Sequence, residues 1–294
     1  MSTLTLRPLQ THAVFCVLAA SVVMFAASPA IAGDNQRKNP TSKLYVADVE
    51  GLASINTGDK VEDLTKKSVY SAEGVVLETK PNATNAIVLS NGAGMTFDPD
   101  TRVEMRRFVQ EPFSPNRTDL EVEPSVSQTA AFIPRGTIGL CNSKMVAGST
   151  MTFSTRQASL SIRGRKVVIE ATDASTVVSM FEGEATVRGE MMAGGQTLKA
   201  GQQAIITRTS NSEPPTVVIQ PIPPADAKRL GDKVSMACMA RKTVYFEVSE
   251  RKNQNAADGV FSQTDASGDE VIVPVEVLPG TIPPPSTVSP FAIP

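Results

Sequence analysis

The feature that most constrains the fold is a succession of short apolar runs separated by turn residues between Met151 and Thr207. Two of these runs are residues 167–169 and 177–181, and Glu182-Gly183 directly follows the second. Runs of this length, rich in β-branched residues and bounded by glycine, are typical of β-strands. None has the length or periodicity of an amphipathic helix. The stretch therefore predicts several consecutive strands.

The same pattern extends upstream to residue 43. Asn91-Gly92, between two apolar runs, predicts a tight hairpin turn because both residues tolerate positive φ. Met95 and Phe97 then share a face, which we assign to the core. Val103 and Met105 alternate with charged residues, which predicts a sheet with one wet face. Strands at this density predict an all-β fold: a sandwich, a rolled sheet or a short β-solenoid of many short strands, with at most one helix.

The C-terminal part changes in composition. Residues 209–224 are Pro-rich, which predicts a linker. Within it, Val217–Ile219 can form a strand at a sheet edge. Residues 225–278 form a small C-terminal extension, in which Ala225–Met239 has the spacing of a helix. Residues 279–294 predict a disordered Pro-rich tail. The main β domain is thus expected over residues 43–208.

The N-terminus has the composition of a secretory signal peptide over residues 1–32. An uncharged run ends in Ala30-Ile31-Ala32, which predicts cleavage after Ala32 and a flexible leader over residues 33–42. An uncleaved membrane anchor is the alternative, because about 20 apolar residues can span a bilayer. We expect an exported protein, periplasmic or at the cell surface, with no stable membrane span after cleavage.

Composition excludes several function classes. The one histidine, His12, lies in the signal segment, so the usual catalytic base and the commonest zinc ligand are missing after cleavage. The chain also has no tryptophan. Cleavage removes only Arg7 among 28 basic side chains, which changes the formal charge from −2 to about −3 and predicts no nucleic-acid partner. We expect no metal, no cofactor and no enzymatic activity, and a hydrolase using two carboxylates is a remote alternative.

Two cysteines, Cys141 and Cys238, remain after cleavage. In an oxidising compartment they can form a disulfide that closes a long loop, worth roughly 4 to 5 kcal/mol in the chain-entropy description. The alternative is two separate buried thiols. The sequence leaves both open.

The order of turn motifs resembles the FecR domain. The resemblance runs from residue 43 to residue 207, although Arg165 stands where many members have Thr. The motifs that carry it most clearly are Arg163-Gly164, Glu182-Gly183 and Ala200-Gly201-Gln202. We read these motifs as structural: Gly164 allows close backbone approach, and Arg163 pairs with an acidic neighbour such as Glu182. A contact of Arg163 with a partner is the alternative.

The resemblance implies a bacterial cell-envelope protein that acts as a non-catalytic binding, sensing or scaffold module. In the regulators that name the family, a cytoplasmic segment contacts a sigma factor; only about a dozen residues precede the apolar run here, so we expect no such segment. The expected partner is an envelope protein or a wall polymer. A self-assembling or glycan-binding structural surface protein is the alternative function, which leaves self-association open.

Overall fold

The computed structural model describes residues 42–113, 121–209, 213–250 and 270–276. The predicted signal peptide, the leader up to residue 41 and the tail over residues 279–294 lie outside the described residues. No helix within the described ranges is long and apolar enough to cross a membrane.

The described residues form one helix and nineteen strands, most of them short. The helix is α1 (Pro224–Arg241). The strands are β1 (Lys43–Glu50), β2 (Ala53–Asn56), β3 (Val61–Asp63), β4 (Val69–Ser71), β5 (Val76–Thr79), β6 (Thr84–Leu89), β7 (Gly94–Phe97), β8 (Arg102–Gln110), β9 (Ser127–Cys141), β10 (Thr150–Ser154), β11 (Ala158–Ile162), β12 (Lys166–Ala171), β13 (Ser175–Glu182), β14 (Glu184–Gly189), β15 (Gln196–Lys199), β16 (Gln202–Thr207), β17 (Thr216–Pro221), β18 (Val244–Glu250) and β19 (Glu270–Glu276). The predicted all-β class is confirmed.

Two sheets share the long strand β9 and enclose one core. The first sheet has the order β4-β1-β6-β7-β9-β12-β13-β16-β17. The second has the order β3-β2-β5-β8-β9-β10-β11-β14-β15. Strand β9 pairs in the second sheet up to Arg135 and in the first from Gly136. Every pairing is antiparallel except that of β9 with β10. The arrangement is therefore a sandwich in which strands bend from one sheet into the other.

The core lies between the inward faces of the two sheets. Met95 and Phe97 from the first sheet and Val103 and Met105 from the second are all buried in it, as the alternation predicts. Fully burying one such side chain contributes about 1.5–3 kcal/mol, so this shared core joins the two sheets into one unit.

The wet face predicted from the alternation around Val103 and Met105 is present on β8 of the second sheet, whereas the centre of the first sheet is buried on both faces. All four residues of β7 are buried, because α1 lies across its outer face. Leu230 and Val234 of α1 pack on Val168 of β12. The hydroxyl of Thr96 donates a hydrogen bond to the backbone oxygen of Lys233 at 3.1 Å. The predicted helix is present, and it covers the sheet instead of standing apart from it.

Two glycines bring the helix unusually close to the sheet. A Cβ atom on Gly94 of β7 would lie 2.2 Å from the backbone oxygen of Ala237, and one on Gly139 of β9 would lie 2.8 Å from that of Lys233. Real side chains do not make such contacts, so both positions require glycine at this helix–sheet distance. The sheet therefore has a shallow trough in which the helix backbone lies.

The disulfide lies beside this trough. Cys141 at the end of β9 is bonded to Cys238 of α1, with their Cα atoms 5.1 Å apart. Of the two alternatives that the sequence leaves open, the structure therefore has the disulfide. Arg241, one turn further along the helix, is buried, and its Nε donates to the backbone oxygen of Gly92 at 3.1 Å. The covalent bond and the buried arginine both hold the last helical turn against the sheet.

The sandwich extends beyond residue 208. Strand β17 lies inside the expected linker and pairs along its whole length with β16, so Val217–Ile219 do join the sheet edge. Val244 and Phe246 of β18 pack with Tyr45 and Val88 on the outer face of the first sheet. Strand β18 pairs with β19 as a separate two-stranded sheet. The C-terminal extension thus contacts the domain that precedes it.

The trough generates the first prediction. Gly94→Ala is expected to lower the free energy of unfolding by about 1–3 kcal/mol, because the new methyl group forces the helix away from β7. Gly194→Ala is the control: its Cβ would meet nothing within 4 Å, and its effect should stay within about 0.5 kcal/mol. Chemical denaturation of both variants without reductant measures the difference, and equal midpoints would show that the helix is not held by this contact.

Candidate functional site

Three consecutive bends between the sheets lie side by side at one end of the sandwich. Residues 163–165 join β11 to β12, Glu182-Gly183 joins β13 to β14, and Ala200-Gly201 joins β15 to β16. Because β11 pairs with β14 and β12 with β13, the first two bends are neighbours across a hydrogen-bonded ladder. The three motifs singled out in the sequence are therefore one local structure, which we call the corner.

Backbone contacts between glycines hold the corner together. Gly183 has φ +94°, and a Cβ atom on it would lie 2.4 Å from the Cα of Gly164. The amide of Arg163 donates to the backbone oxygen of Glu184 at 2.9 Å, and that of Arg165 donates to Glu182 at 2.8 Å. Only glycines allow the two backbones to cross at this distance. The expected structural role of Gly164 is in agreement with this geometry.

The third bend is closed by the last motif. Gly201 has φ +81°, and its amide donates to the backbone oxygen of Met180 at 2.8 Å. The side-chain oxygen of Gln202 accepts a hydrogen bond from the amide of Lys199 at 3.0 Å, across the bend. Ala200 is exposed and makes room for the turn without a large side chain. The contacts of these three residues thus fix the backbone conformation of the bend, which is a structural role.

A loop over residues 143–149 packs against the corner and is fixed by two buried polar residues. The carboxylate of Glu123 accepts hydrogen bonds from the amide of Val146 at 3.2 Å and from the hydroxyl of Ser127. The side-chain amide of Asn142 donates to the backbone oxygen of Gly164 at 3.1 Å. Sequence reasoning missed both residues, because neither lies in a motif and both act through contacts far apart in the chain.

Between the loop and the corner lies an open cleft of about 500 Å³, which we call the corner cleft. One wall is the loop from Ser143 to Ser149, and the other is formed by residues 163–165 with Glu182-Gly183. Its charged side chains are Lys144, Arg163, Arg165 and Glu182. Two of the three corner motifs, Arg163-Gly164 and Glu182-Gly183, therefore line a concave surface as well as forming bends.

The ion pairs in the cleft differ from the sequence prediction. Glu182 pairs with Lys166 at 2.7 Å and with Arg165 at 3.5 Å, so the predicted Arg163–Glu182 pair is wrong. A one-residue bulge between Lys166 and Val167 places Lys166 opposite Glu182. Arg163 is exposed and has no ion pair within the described ranges.

Arg165, the residue that departs from the resemblance, lies deeper in the cleft. Its guanidinium also pairs with Glu121, while its buried Nε has no hydrogen-bond partner among the described residues. The hydrogen bond from Lys166 lowers the pKa of the Glu182 carboxyl below its ordinary value, partly opposed by burial and supported by the charge of Arg165. Glu182 is therefore held as a carboxylate.

A second groove, of about 410 Å³, lies between α1 and the outer ends of β1, β6 and β7. Its cations are already paired: Lys233 with Asp98, and Arg229 with Glu170 at 2.9 Å. In the part of the chain that the structure describes, no three His, Cys, Asp or Glu side chains come close enough together to hold a metal ion. The corner cleft is the candidate site because it combines concavity with two cations, Lys144 and Arg163, that have no ion pair among the residues that the structure describes.

No family model and no curated protein matches this sequence. The likeness to solved structures is weak. Two crystal structures of a candidate anti-sigma factor from Parabacteroides distasonis ATCC 8503, at 2.50 and 1.65 Å resolution, align with TM-scores of 0.39 and 0.38 and 14% sequence identity. Each alignment covers 52% of this chain and 62% of the other. The match thus spans less than two thirds of those chains.

The glycine contact at the corner can be tested separately from backbone conformation. Gly183→Ala and Gly201→Ala both place alanine at positive φ, but only the first creates a clash, since nothing lies within 4 Å of a Cβ on Gly201. We expect Gly201→Ala to cost about 1 kcal/mol and Gly183→Ala about 2–4 kcal/mol of unfolding free energy. Denaturation curves measure both, and equal losses would mean that the crossing tolerates a side chain.

Acid titration tests the charge state of Glu182. Its pKa is lower in the folded protein than in the unfolded chain, so its ion pairs stabilise the fold. This stabilisation is complete above the unfolded pKa of about 4.3 and is lost as the pH falls through the pKa of the folded protein. Glu182→Gln should therefore be less stable than wild type near pH 7, with the gap closing below about pH 4. The exposed Glu73→Gln is the control, expected to show no such gap. A gap that stays constant with pH would contradict the lowered pKa.

Proposed function

We propose that this chain is an exported, non-catalytic module of the bacterial cell envelope that binds or senses a partner through a FecR-like domain over residues 43–208. The observation that carries the proposal is the corner, where all three FecR-like motifs meet. Three motifs that are far apart in the sequence form neighbouring bends, and two of them, Arg163-Gly164 and Glu182-Gly183, line one open cleft. Because the same residues form the bends and line the cleft, this surface fits a binding role.

A binding role is supported over catalysis by the state of the carboxylates. A glycosidase acid needs a raised pKa, so that it carries a proton at neutral pH. Glu182 in the cleft has a lowered pKa because Lys166 donates a hydrogen bond to it. Glu78, on the outer face of the second sheet, also has a lowered pKa: burial works to raise it, but three surrounding cations outweigh burial. Both carboxylates suit ion pairing and not proton donation.

Export is supported by two independent features. The first 32 residues have the pattern of a signal peptide, and the Cys141–Cys238 disulfide suits an oxidising compartment. The alternative of self-assembly through strand edges is less well supported. Edge strand β17 follows Pro214-Pro215 and ends in Pro221, and proline has no amide hydrogen to donate to an added strand.

Site-specific crosslinking in the native envelope tests this function. A photoreactive amino acid in place of the exposed Ala147 lies on the corner cleft and leaves its cations in place, and one in place of the exposed Arg107 lies on β8, outside the cleft. We expect the first to crosslink to one defined envelope component and the second not to. Crosslinks at both positions to the same chain would support the self-assembling alternative, and no crosslink at position 147 would contradict a binding role for the cleft. N-terminal sequencing of the exported protein, expected to begin at Gly33, tests the export step.

A further inference from the structure

We propose that the corner cleft binds an acidic, partly apolar peptide segment of its partner, with Arg163 and Lys144 contacting the carboxylates. This inference rests on the proposed binding function and adds the chemistry of the ligand. It depends on three properties of the cleft: two cations without an ion pair in the described ranges, rigid attachment of those cations, and an apolar wall next to them.

The charges of the cleft do not balance. Its lining contains Lys144, Arg163 and Arg165 as cations and Glu182 as the only acid. The charge of Arg165 is already offset by Glu121 and Glu182, and Glu182 is further paired with Lys166. Lys144 and Arg163 are exposed and have no ion pair within the described part of the chain. The surplus of positive charge is therefore located on these two side chains, one on each wall.

Both cations extend from backbone that is fixed. The amide of Lys144 donates to Glu121 at 2.7 Å, and its backbone oxygen accepts from the amide of Glu123 at 3.0 Å. The amide of Arg163 is bonded to Glu184, next to the glycine crossing. Fixed attachment lowers the entropy that binding must overcome, and a free guanidinium can bind a carboxylate through two parallel hydrogen bonds.

The loop wall adds apolar surface directly beside Lys144. Met145, Val146 and Ala147 follow it in the chain, line the cleft and remain partly or fully exposed. An inorganic anion would leave this wall and most of the 500 Å³ unused. An acidic polysaccharide offers carboxylates but little apolar side-chain surface. A peptide that alternates acidic and aliphatic residues matches both parts of the cleft, so the observations favour a peptide.

The probe is a fluorescein-labelled hexapeptide, acetyl-Glu-Leu-Asp-Glu-Val-Glu-amide, titrated with the oxidised chain from residue 33 to 294. We expect saturable binding by fluorescence anisotropy that weakens as salt is added. Lys144→Glu with Arg163→Glu in one protein should raise the Kd about tenfold or more, because both carboxylate contacts become repulsive. Arg163→Glu alone should also raise the Kd, and Arg107→Glu is its control, with the same single charge reversal on an exposed arginine that has no ion pair among the described residues; the Kd of this control should stay within about twofold of wild type. Equal thermal midpoints will show that the variants are folded.

Three results would overturn the proposal. One is binding that the double variant leaves unchanged; another is equal binding of the same peptide with Gln and Asn in place of its acids. The third is full displacement by inorganic phosphate or polygalacturonate at equal charge concentration, which would mean a general anion site. If the peptide fails in any of these ways while position 147 still crosslinks to an envelope component, the ligand chemistry is wrong and the proposed function stands. If crosslinking fails as well, both are wrong.

Discussion

Backbone crossing between two sheets is the constraint on which the rest of this structure depends. Where a strand passes from one sheet to the other, its backbone comes within van der Waals contact of the neighbouring strand. At the other end of the sandwich, a Cβ on Gly136 would lie 2.3 Å from the Cα of Thr101, and Gly136 has φ +101°. The hydroxyl of Thr101 accepts from the amide of Thr137 at 3.0 Å and so closes this crossing. Each bend therefore needs a glycine and a partner for the backbone groups that the bend removes from the ladder.

Close approach through glycine also determines how the helix packs on the outside of the sandwich. A trough of glycines lets α1 approach the first sheet until a threonine hydroxyl bonds to the helix backbone. A side chain at Gly94 would separate the two layers and expose Val168, Leu230 and Val234. The disulfide at Cys238 then fixes a contact that packing already favours. In many antiparallel sheets one face is exposed to solvent. Here the helix covers that face, so the central strand β7 of the first sheet is buried on both sides.

Local features of the sequence predicted the local parts of this fold. Strand density gave the all-β class, and proline and spacing placed the helix within two residues of its ends. Contacts between distant residues were not predictable. Nothing in the order of residues shows that Gly94 faces Ala237, or that Glu123 supports the loop at Val146. The hairpin turn at Asn91-Gly92 was located correctly, although only Gly92 has positive φ.

The error at the candidate site arises from the geometry of the bend. Arg163 lies in the bend between β11 and β12, where its backbone is opposite Glu184 and not Glu182, and a bulge brings Lys166 opposite Glu182. Because a shift of one position reverses the face of a side chain, the bulge contributes to the pairing of Lys166 with Glu182, while the bend keeps Arg163 away from it. The exposed arginine at the corner is therefore a consequence of how the strand bends. It follows that the glycines and the bulge determine both stability and charge placement, while Lys144 and Arg163 affect only the charge of the cleft.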